Sequence, residues 1–260
     1  MPEEREHRTL KRGLLPYRPD SIAFKFGDYI NKAKLPTLPK TFGHVTNVPP
    51  TPVGTDQRAW GMLGNDQYGD CVMAGAAHET MLWAMATKRP VPYFAADGIV
   101  QQYFQLSGGT DSGLDMTMAA KWRRDVGLTD GHGRVHKVKA YTEVNNVDDL
   151  LMAAYLFGAA GLGLEMPDSA ERQFRQGHVW DEIDEEPSGG HYVPVMGLNR
   201  AGNIVLNTWN NIQAATRQFV EKYMMVGVAY FSEEYLLANG LSPELINEAA
   251  LEDDLSALTT

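Results

Sequence analysis

The sequence holds a single cysteine, Cys71, in 260 residues. One thiol forms no internal disulfide, which excludes a disulfide-stapled secreted scaffold and fits a reducing compartment. Long apolar runs are also missing. Gly, Pro or charge interrupts each of them well short of the roughly 18 residues that a membrane span requires. The N-terminus, MPEEREHRTLKRGLLPYRPD, carries charge but no apolar signal core, so a cytoplasmic protein without membrane association is expected. Basic residues are outnumbered: 23 Lys and Arg stand against 33 Asp and Glu, a formal net charge of -10. Phosphate recognition needs clustered Lys and Arg, which excludes nucleic acid as the general partner. Hydrophobic residues at 43% and charged residues at 22% describe a folded chain with a sizeable core.

What is present is unevenly spread. Eight of the 14 prolines (Pro2, Pro16, Pro19, Pro36, Pro39, Pro49, Pro50, Pro52) fall within residues 1–55, where each fixes its own φ and restricts the residue before it. This stretch also carries Leu14, Leu15, Tyr17, Phe24, Phe26, Tyr29, Ile30, Leu35 and Leu38, too much apolar surface for a solvated linker. Residues 1–40 contain nine Lys/Arg and five Asp/Glu, whereas the rest contains 14 and 28. A basic, apolar-studded arm on an acidic body is expected to lie against that body.

The body divides by period. Residues 57–159 read as mainly helical, with Cys71–Lys88 rich in Ala, Met and Leu and its apolar positions Val72, Ala76, Met81, Leu82 and Met85 on one face. Asp70 is placed as its N-cap. Further helices are predicted over 95–106, over 116–126 with Gly127 closing it, and over 147–157 after Asn145 and Asn146. Strands dominate 161–230, and residues 191–198 and 204–209 form a predicted hairpin turning at 200–203. Pro194 cannot donate to a ladder and is expected at an edge or bulge. A short helix at 233–238 precedes an acidic tail. The predicted organisation is an arm (1–55), one α+β domain (56–240, helical to about 159 and antiparallel β from about 160), and a tail (241–260).

Cys71, His191 and Asn207 are the residues that carry chemistry. A thiol is nucleophilic as the thiolate, and a helix N-terminus and a nearby imidazolium both favour that form. Cys71 starts a predicted helix after the turn-like Gly69-Asp70. His191 opens one hairpin strand and Asn207 lies near the end of its partner, so the Asn carbonyl oxygen is expected to accept from the ring, with Trp209 covering the bond.

The block Gly64-Asn-Asp-Gln-Tyr-Gly-Asp-Cys-Val72 resembles the nucleophile loop of papain-like cysteine peptidases. Gly189-Gly-His-Tyr-Val-Pro-Val-Met-Gly197 resembles their histidine strand, and Asn207-Thr-Trp209 their Asn-Ser-Trp block, in the same order across residues 57–232. The resemblance implies a two-lobe fold with Cys71 as nucleophile, His191 as general base and acid, and Asn207 as orienter, with Gly69, Asp70 and Trp209 in support. Where the family has a Gln oxyanion donor this chain has Asn65, with Gln67 two residues on. Val72 replaces the family's Trp, and Asn210 replaces the glycine after the Asn-Ser-Trp block. These departures point to a distant, non-secreted branch, and the Tyr68-Gly-Asp-Cys71 block resembles that of proteins of phage or bacterial type. The implied chemistry is Cys-His-Asn acyl transfer on a peptide or protein substrate, without metal or cofactor. In that setting the arm is a self-inhibiting or docking segment. The alternative is a papain-fold binding or structural module, with the arm as an assembly element for a protein partner, as in a virion.

The remaining polar motifs have plainer readings. His78, seven residues after Cys71, lacks enough companions for zinc and reads as a hydrogen-bonded core histidine. His132 and His136 read as a surface loop. Gly108-Gly-Thr-Asp-Ser-Gly113 lacks the flanking strand and helix of a phosphate loop and, by the resemblance, lines the substrate cleft. Asp181–Glu186 reads as a solvated charged loop which, with Glu171, could attract a basic substrate or the basic arm.

Overall fold

The computed structural model describes residues 9–18, 24–45, 48–50, 59–232, 235 and 252–254. The arm contributes a one-turn helix α1 (Phe26–Tyr29), a 3-10 turn (Lys32–Lys34) and strand β1 (Phe42–Gly43). Three helices follow: α2 (Cys71–Ala86), α3 (Ala96–Leu106) and α4 (Met116–Asp125). A small hairpin of β2 (Leu128–Thr129) and β3 (Val135–His136) leads to β4 (Val138–Val144), α5 (Val147–Phe157), β5 (Ala160–Met166) and α6 (Asp168–Arg175). The chain then forms β6 (Gly189–Leu198), β7 (Ile204–Thr208), β8 (Asn211–Ala215), α7 (Arg217–Tyr223) and β9 (Met224–Ser232). The main sheet runs β4-β9-β5-β6-β7-β8, with β1 also paired to β6. No helix among the described residues is long and apolar enough to cross a membrane.

Local chemistry accounts for the element ends. The Asp115 carboxylate accepts from the Thr117 and Met118 amides and starts α4, and Asn146 accepts from the Asp149 amide and starts α5, as N-caps do. Gly127 and Gly158 follow α4 and α5 with φ of 93° and 77°, the left-handed stop that glycine adopts without strain. The β6–β7 turn closes where expected, with the Asn199 amide donating to the Asn203 carbonyl at 3.0 Å. Pro194 sits in central strand β6, paired with Gly161, immediately before the bulge that shifts the β6–β7 register between Val195 and Gly197.

Three expectations need correction. Helix α2 does not present one apolar face: every residue from Cys71 to Ala84 is buried, so it is the central helix, covered on all sides. Residues 138–144 are not part of a helical half; they form β4 and pair with β9. The alternation in Val138-Lys-Ala-Tyr-Thr-Glu-Val144 is a strand period that the flanking helical patterns obscured. His136 is buried on β3 with its Nε2 3.2 Å from Asp130 Oδ2, whereas His132 is exposed as expected. The expected helix at 233–238 and the acidic tail lie outside the described residues, apart from Tyr235 and 252–254.

The helices and the sheet meet over a buried polar cluster. Glu79 of α2 pairs with Arg123 of α4 and accepts from the Tyr192 hydroxyl of β6 at 2.7 Å. The Arg123 guanidinium also lies 4.0 Å from the Tyr230 ring centroid on β9. A carboxylate without water is tolerable only when paired and hydrogen-bonded. The cluster therefore fixes the spacing between α2, which carries Cys71, and β6, which carries His191. The arm lies on this body, with Leu14, Phe26, Ile30 and Phe42 buried. The Phe24 carbonyl accepts from the Glu143 amide at 2.8 Å.

Candidate active site

Cys71 occupies the first turn of α2, where free backbone N–H groups and the helix dipole favour negative charge. The side chain of Asp70 makes no capping bond. Its carbonyl instead accepts from the Met73 and Ala74 amides, which leaves the carboxyl buried beside Asn65. Across the interface, β7 and β8 are joined by a two-residue turn in which Trp209 and Asn210 have φ of 46° and 61°. Two successive left-handed residues make the hairpin turn that suits the strand twist, and Asn is among the few non-glycine residues that adopt this conformation readily. The Asn210 side chain accepts from the Gly61 amide at 2.7 Å. The turn brings the Trp209 ring over His191, with centroids 4.4 Å apart and planes 20° from parallel.

The partner of the imidazole differs from the one expected. His191 Nε2 lies 2.7 Å from Thr208 Oγ1, while the buried Asn207 amide makes no hydrogen bond of ordinary geometry. Asn207 and Thr208 both border the cavity around the ring, but the hydrogen bond to the ring comes from Thr208. Asn207 lies beside His78. His78 is the buried, hydrogen-bonded histidine expected: Nε2 lies 3.1 Å from the carbonyl oxygens of both Trp60 and Gly61. Two acceptors at one nitrogen place the proton on Nε2 and leave Nδ1 as an acceptor. Nothing in the sequence pattern tied His78 to this place, although its position two turns along the helix from Cys71 was visible.

Cys71, His191, Asn65, Asn207, His78 and Trp209 all line one cavity of about 10 Å³. Of the two candidate amides, Asn65 is buried at this wall with Nδ2 donating to the Tyr68 carbonyl at 3.1 Å. Gln67 is exposed and lies outside the cavity, since it follows a tight turn in which its own amide bonds back to Gly64. Gly69 donates to Asp111 at 2.9 Å, which draws the Gly108–Gly113 stretch to the rim.

The arm fills the groove above Cys71. Lys11 donates from its amide to the Asn65 carbonyl and accepts from Trp209 Nε1. The Leu114 amide donates to the Gly13 carbonyl, and the Leu15 amide donates to the Leu114 carbonyl. The Leu14 amide donates to the Gly190 carbonyl at 3.2 Å. Residues 11–15 thus bond to both walls, parallel to Leu114 and antiparallel to Gly190. The approach is so close that a Cβ on Gly13 would lie 1.7 Å from the Gly69 carbonyl oxygen, and one on Gly190 would lie 2.2 Å from that of Leu14. The Leu14 side chain is buried over Gly163, next to the Met116 sulfur.

The covered site is uncharged. Burial pushes the Cys71 thiol up to about 12 despite hydrogen bonds from the surrounding backbone. Burial, followed by the Arg12 guanidinium, takes His191 down to about 3. Cys71 is therefore a thiol and His191 a neutral imidazole at neutral pH. Burial also raises the Asp70 carboxyl to about 8. The folded protein keeps this proton where the unfolded chain, with a carboxyl near its ordinary value, has released it. Folding then takes up a proton between about pH 4 and 8, and stability from Asp70 falls as the pH rises through that window. The Asp70→Asn variant removes this slope. Urea denaturation of both proteins at pH 5 and pH 8 should show the variant gaining by a few kcal/mol on going to pH 8; an equal difference at both pH values would mean that Asp70 ionises normally in the fold. Comparing variant with wild type cancels the opposite slope from His78, which burial lowers to about 4.

Compared as a sequence, the chain matches no family model and no curated protein. Its structure does match others. Xylellain, a cysteine protease from Xylella fastidiosa, superposes with a TM-score of 0.62 at 14% identity, over 86% of this chain and 97% of that one. Procathepsin B S9 from Trypanosoma congolense gives 0.61 at 12% identity, covering 88% of each chain. Procathepsin L 3 from the larval midgut of Tenebrio molitor gives 0.55 at 14% identity, over 88% of this chain and 78% of that one. The helices around α2 and the antiparallel sheet carrying His191 therefore form the α+β fold of the papain-like cysteine proteases.

Proposed function

We propose that this chain is a cysteine hydrolase of the papain-like kind, cleaving peptide or isopeptide bonds, and that residues 11–15 hold it latent. The observation that carries the reading is the shared cavity: the thiol at a helix N-terminus, an imidazole under a stacked indole and a side-chain amide meet there. With the arm displaced, water reaches both groups, and proton transfer from Cys71 to His191 yields the thiolate–imidazolium pair. The thiolate attacks the substrate carbonyl carbon, and the Cys71 amide and Asn65 stabilise the oxyanion. His191 gives its proton to the leaving nitrogen as the C–N bond breaks. It then takes a proton from water, which adds to the thioester and releases the acyl group with the thiol restored. Thr208 and Trp209 orient the ring, and Asn207 with His78 forms the wall behind it.

The single cysteine fits a non-secreted branch, and the Tyr68-Gly-Asp-Cys71 block favours one of bacterial or phage type. A second reading is favoured by the neutral pair beneath a closely fitted arm: a binding module whose arm exchanges onto a protein partner, in the cytoplasm or in a virion. One experiment separates the two. The Gly13→Ala chain is incubated with a mixed peptide library, and new termini are read by mass spectrometry. Cleavage present in Gly13→Ala and absent in Gly13→Ala/Cys71→Ala is the expected result. No Cys71-dependent cleavage from a protein with a freely reactive thiol would overturn the hydrolase reading in favour of the module.

A further inference from the structure

We infer that the cleft carries an acid-lined subsite, formed by Asp168, Glu171, Ser188 and the Met166 carbonyl, that receives the guanidinium of an arginine-containing peptide. The inference rests on the reading above that the groove over Cys71 binds peptides. Its basis is the way the arm's own Arg12 is held. Arg12 Nη1 donates to Ser188 Oγ at 2.6 Å and to the Met166 carbonyl at 3.3 Å. Nη2 lies 3.4 Å from Glu171 Oε2 and 3.4 Å from Asp168 Oδ1. The Arg12 side chain is only 14% exposed, so most of it has left water for this site.

The receiving groups are organised by bonds of their own. Ser188 Oγ lies 2.5 Å from Asp168 Oδ1 and its amide donates to the Met166 carbonyl at 2.8 Å. Arg175 holds the other Glu171 oxygen, Oε1, at 2.7 Å, which turns Oε2 towards Arg12. All four groups come from the end of β5, from α6 and from the segment entering β6. They belong to the cleft wall on the His191 side and not to the arm.

Position makes this a subsite rather than a remote tether. Arg12 directly precedes Gly13, the residue that crosses over Gly69 beside Cys71, and its charge acts on His191. A side chain in this place belongs to a residue flanking the reacting carbonyl. A planar guanidinium also suits the several oxygen acceptors better than an ammonium does. The segment Arg12-Gly13-Leu14 therefore records what the groove accepts: a cation in the acidic subsite, and an aliphatic side chain two residues away over Gly163.

The test uses the full-length Gly13→Ala protein and a fluorescein-labelled peptide with the sequence of residues 9–18, alongside the same peptide carrying Arg12→Gln. Anisotropy titration should show the Arg12→Gln peptide binding about tenfold more weakly, as loss of charge-assisted hydrogen bonds entails. The difference should vanish when Asp168→Asn and Glu171→Gln are added to the protein. Equal binding of the two peptides, or no binding of either, overturns the subsite, as does a preference that survives neutralisation of the pocket. An independent measurement needs no arm release: Arg12→Gln in the otherwise native chain should speed Cys71 alkylation about tenfold, and an unchanged rate also overturns the proposal. The two readings fail separately. Arginine preference without Cys71-dependent cleavage leaves the subsite and removes the hydrolase, whereas cleavage indifferent to arginine does the reverse.

Discussion

Replacing Gly13 with Ala in the full-length chain should make Cys71 react with iodoacetamide about 30-fold faster. The native contact leaves no room for a methyl group, since a Cβ at residue 13 would lie within 2.5 Å of three backbone atoms of Gly69. Backbone on both sides cannot yield as a flexible side chain would, so the arm must lift. Burial of Leu14 alone is worth ~2 kcal/mol to the closed arrangement, and loss of that much raises the open fraction about 30-fold. Intact-mass analysis reads the result without ambiguity, because Cys71 is the only cysteine and Cys71→Ala serves as blank. Unchanged labelling in a variant with native circular dichroism would show that the arm does not guard the thiol.

Within that open variant, labelling should persist well below pH 7, and adding His191→Ala should slow it about 100-fold at pH 6. The sign follows from the change in surroundings. With the arm in place, burial raises Cys71 to about 12 and lowers His191 to about 3, so neither group is charged at pH 6 and the thiol is inert. Water admitted by the open arm removes the burial penalty on both groups and takes the Arg12 charge away from the imidazole. Each charged form then supports the other, and the thiol titrates below an isolated one. Without the imidazole, the thiol returns towards its ordinary value near 8.5, and the thiolate at pH 6 falls to well under one part in a hundred. A pH profile identical in the presence and absence of His191 would exclude the pair. The same profile measured in the native chain should rise only in alkali, which makes arm release and ion-pair formation separately visible.

Much of the site was legible because its signals are local. The start of α2 at Cys71, the stop at Gly127, the cap at Asn146 and the hairpin turn after Asn199 each depend on a few consecutive residues. The blocks around Cys71, His191 and Trp209 carry their spacing along the chain, so their resemblance could be recognised before any fold was known. The basic arm and acidic body were likewise present in the arithmetic of charge, and Arg12 now lies against Asp168 and Glu171.

Other features have no local signature. Whether Thr208 or Asn207 meets His191 depends on the register of β7 against β6, which the bulge between Val195 and Gly197 shifts. His136 reads as a loop residue until its hairpin folds and brings it to Asp130. Val138–Val144 has a strand period of its own, but its partner, β9, lies far along the chain and only the fold brings the two together. The arm shows the division most clearly. The sequence by itself determined that residues 1–55 are basic, proline-rich and studded with apolar side chains, since charge and proline geometry act within a few residues. Only the tertiary structure decided that Gly13 passes over Gly69 beside Cys71 and that Arg12 lies against Asp168 and Glu171, because those contacts arise where surfaces distant in sequence meet.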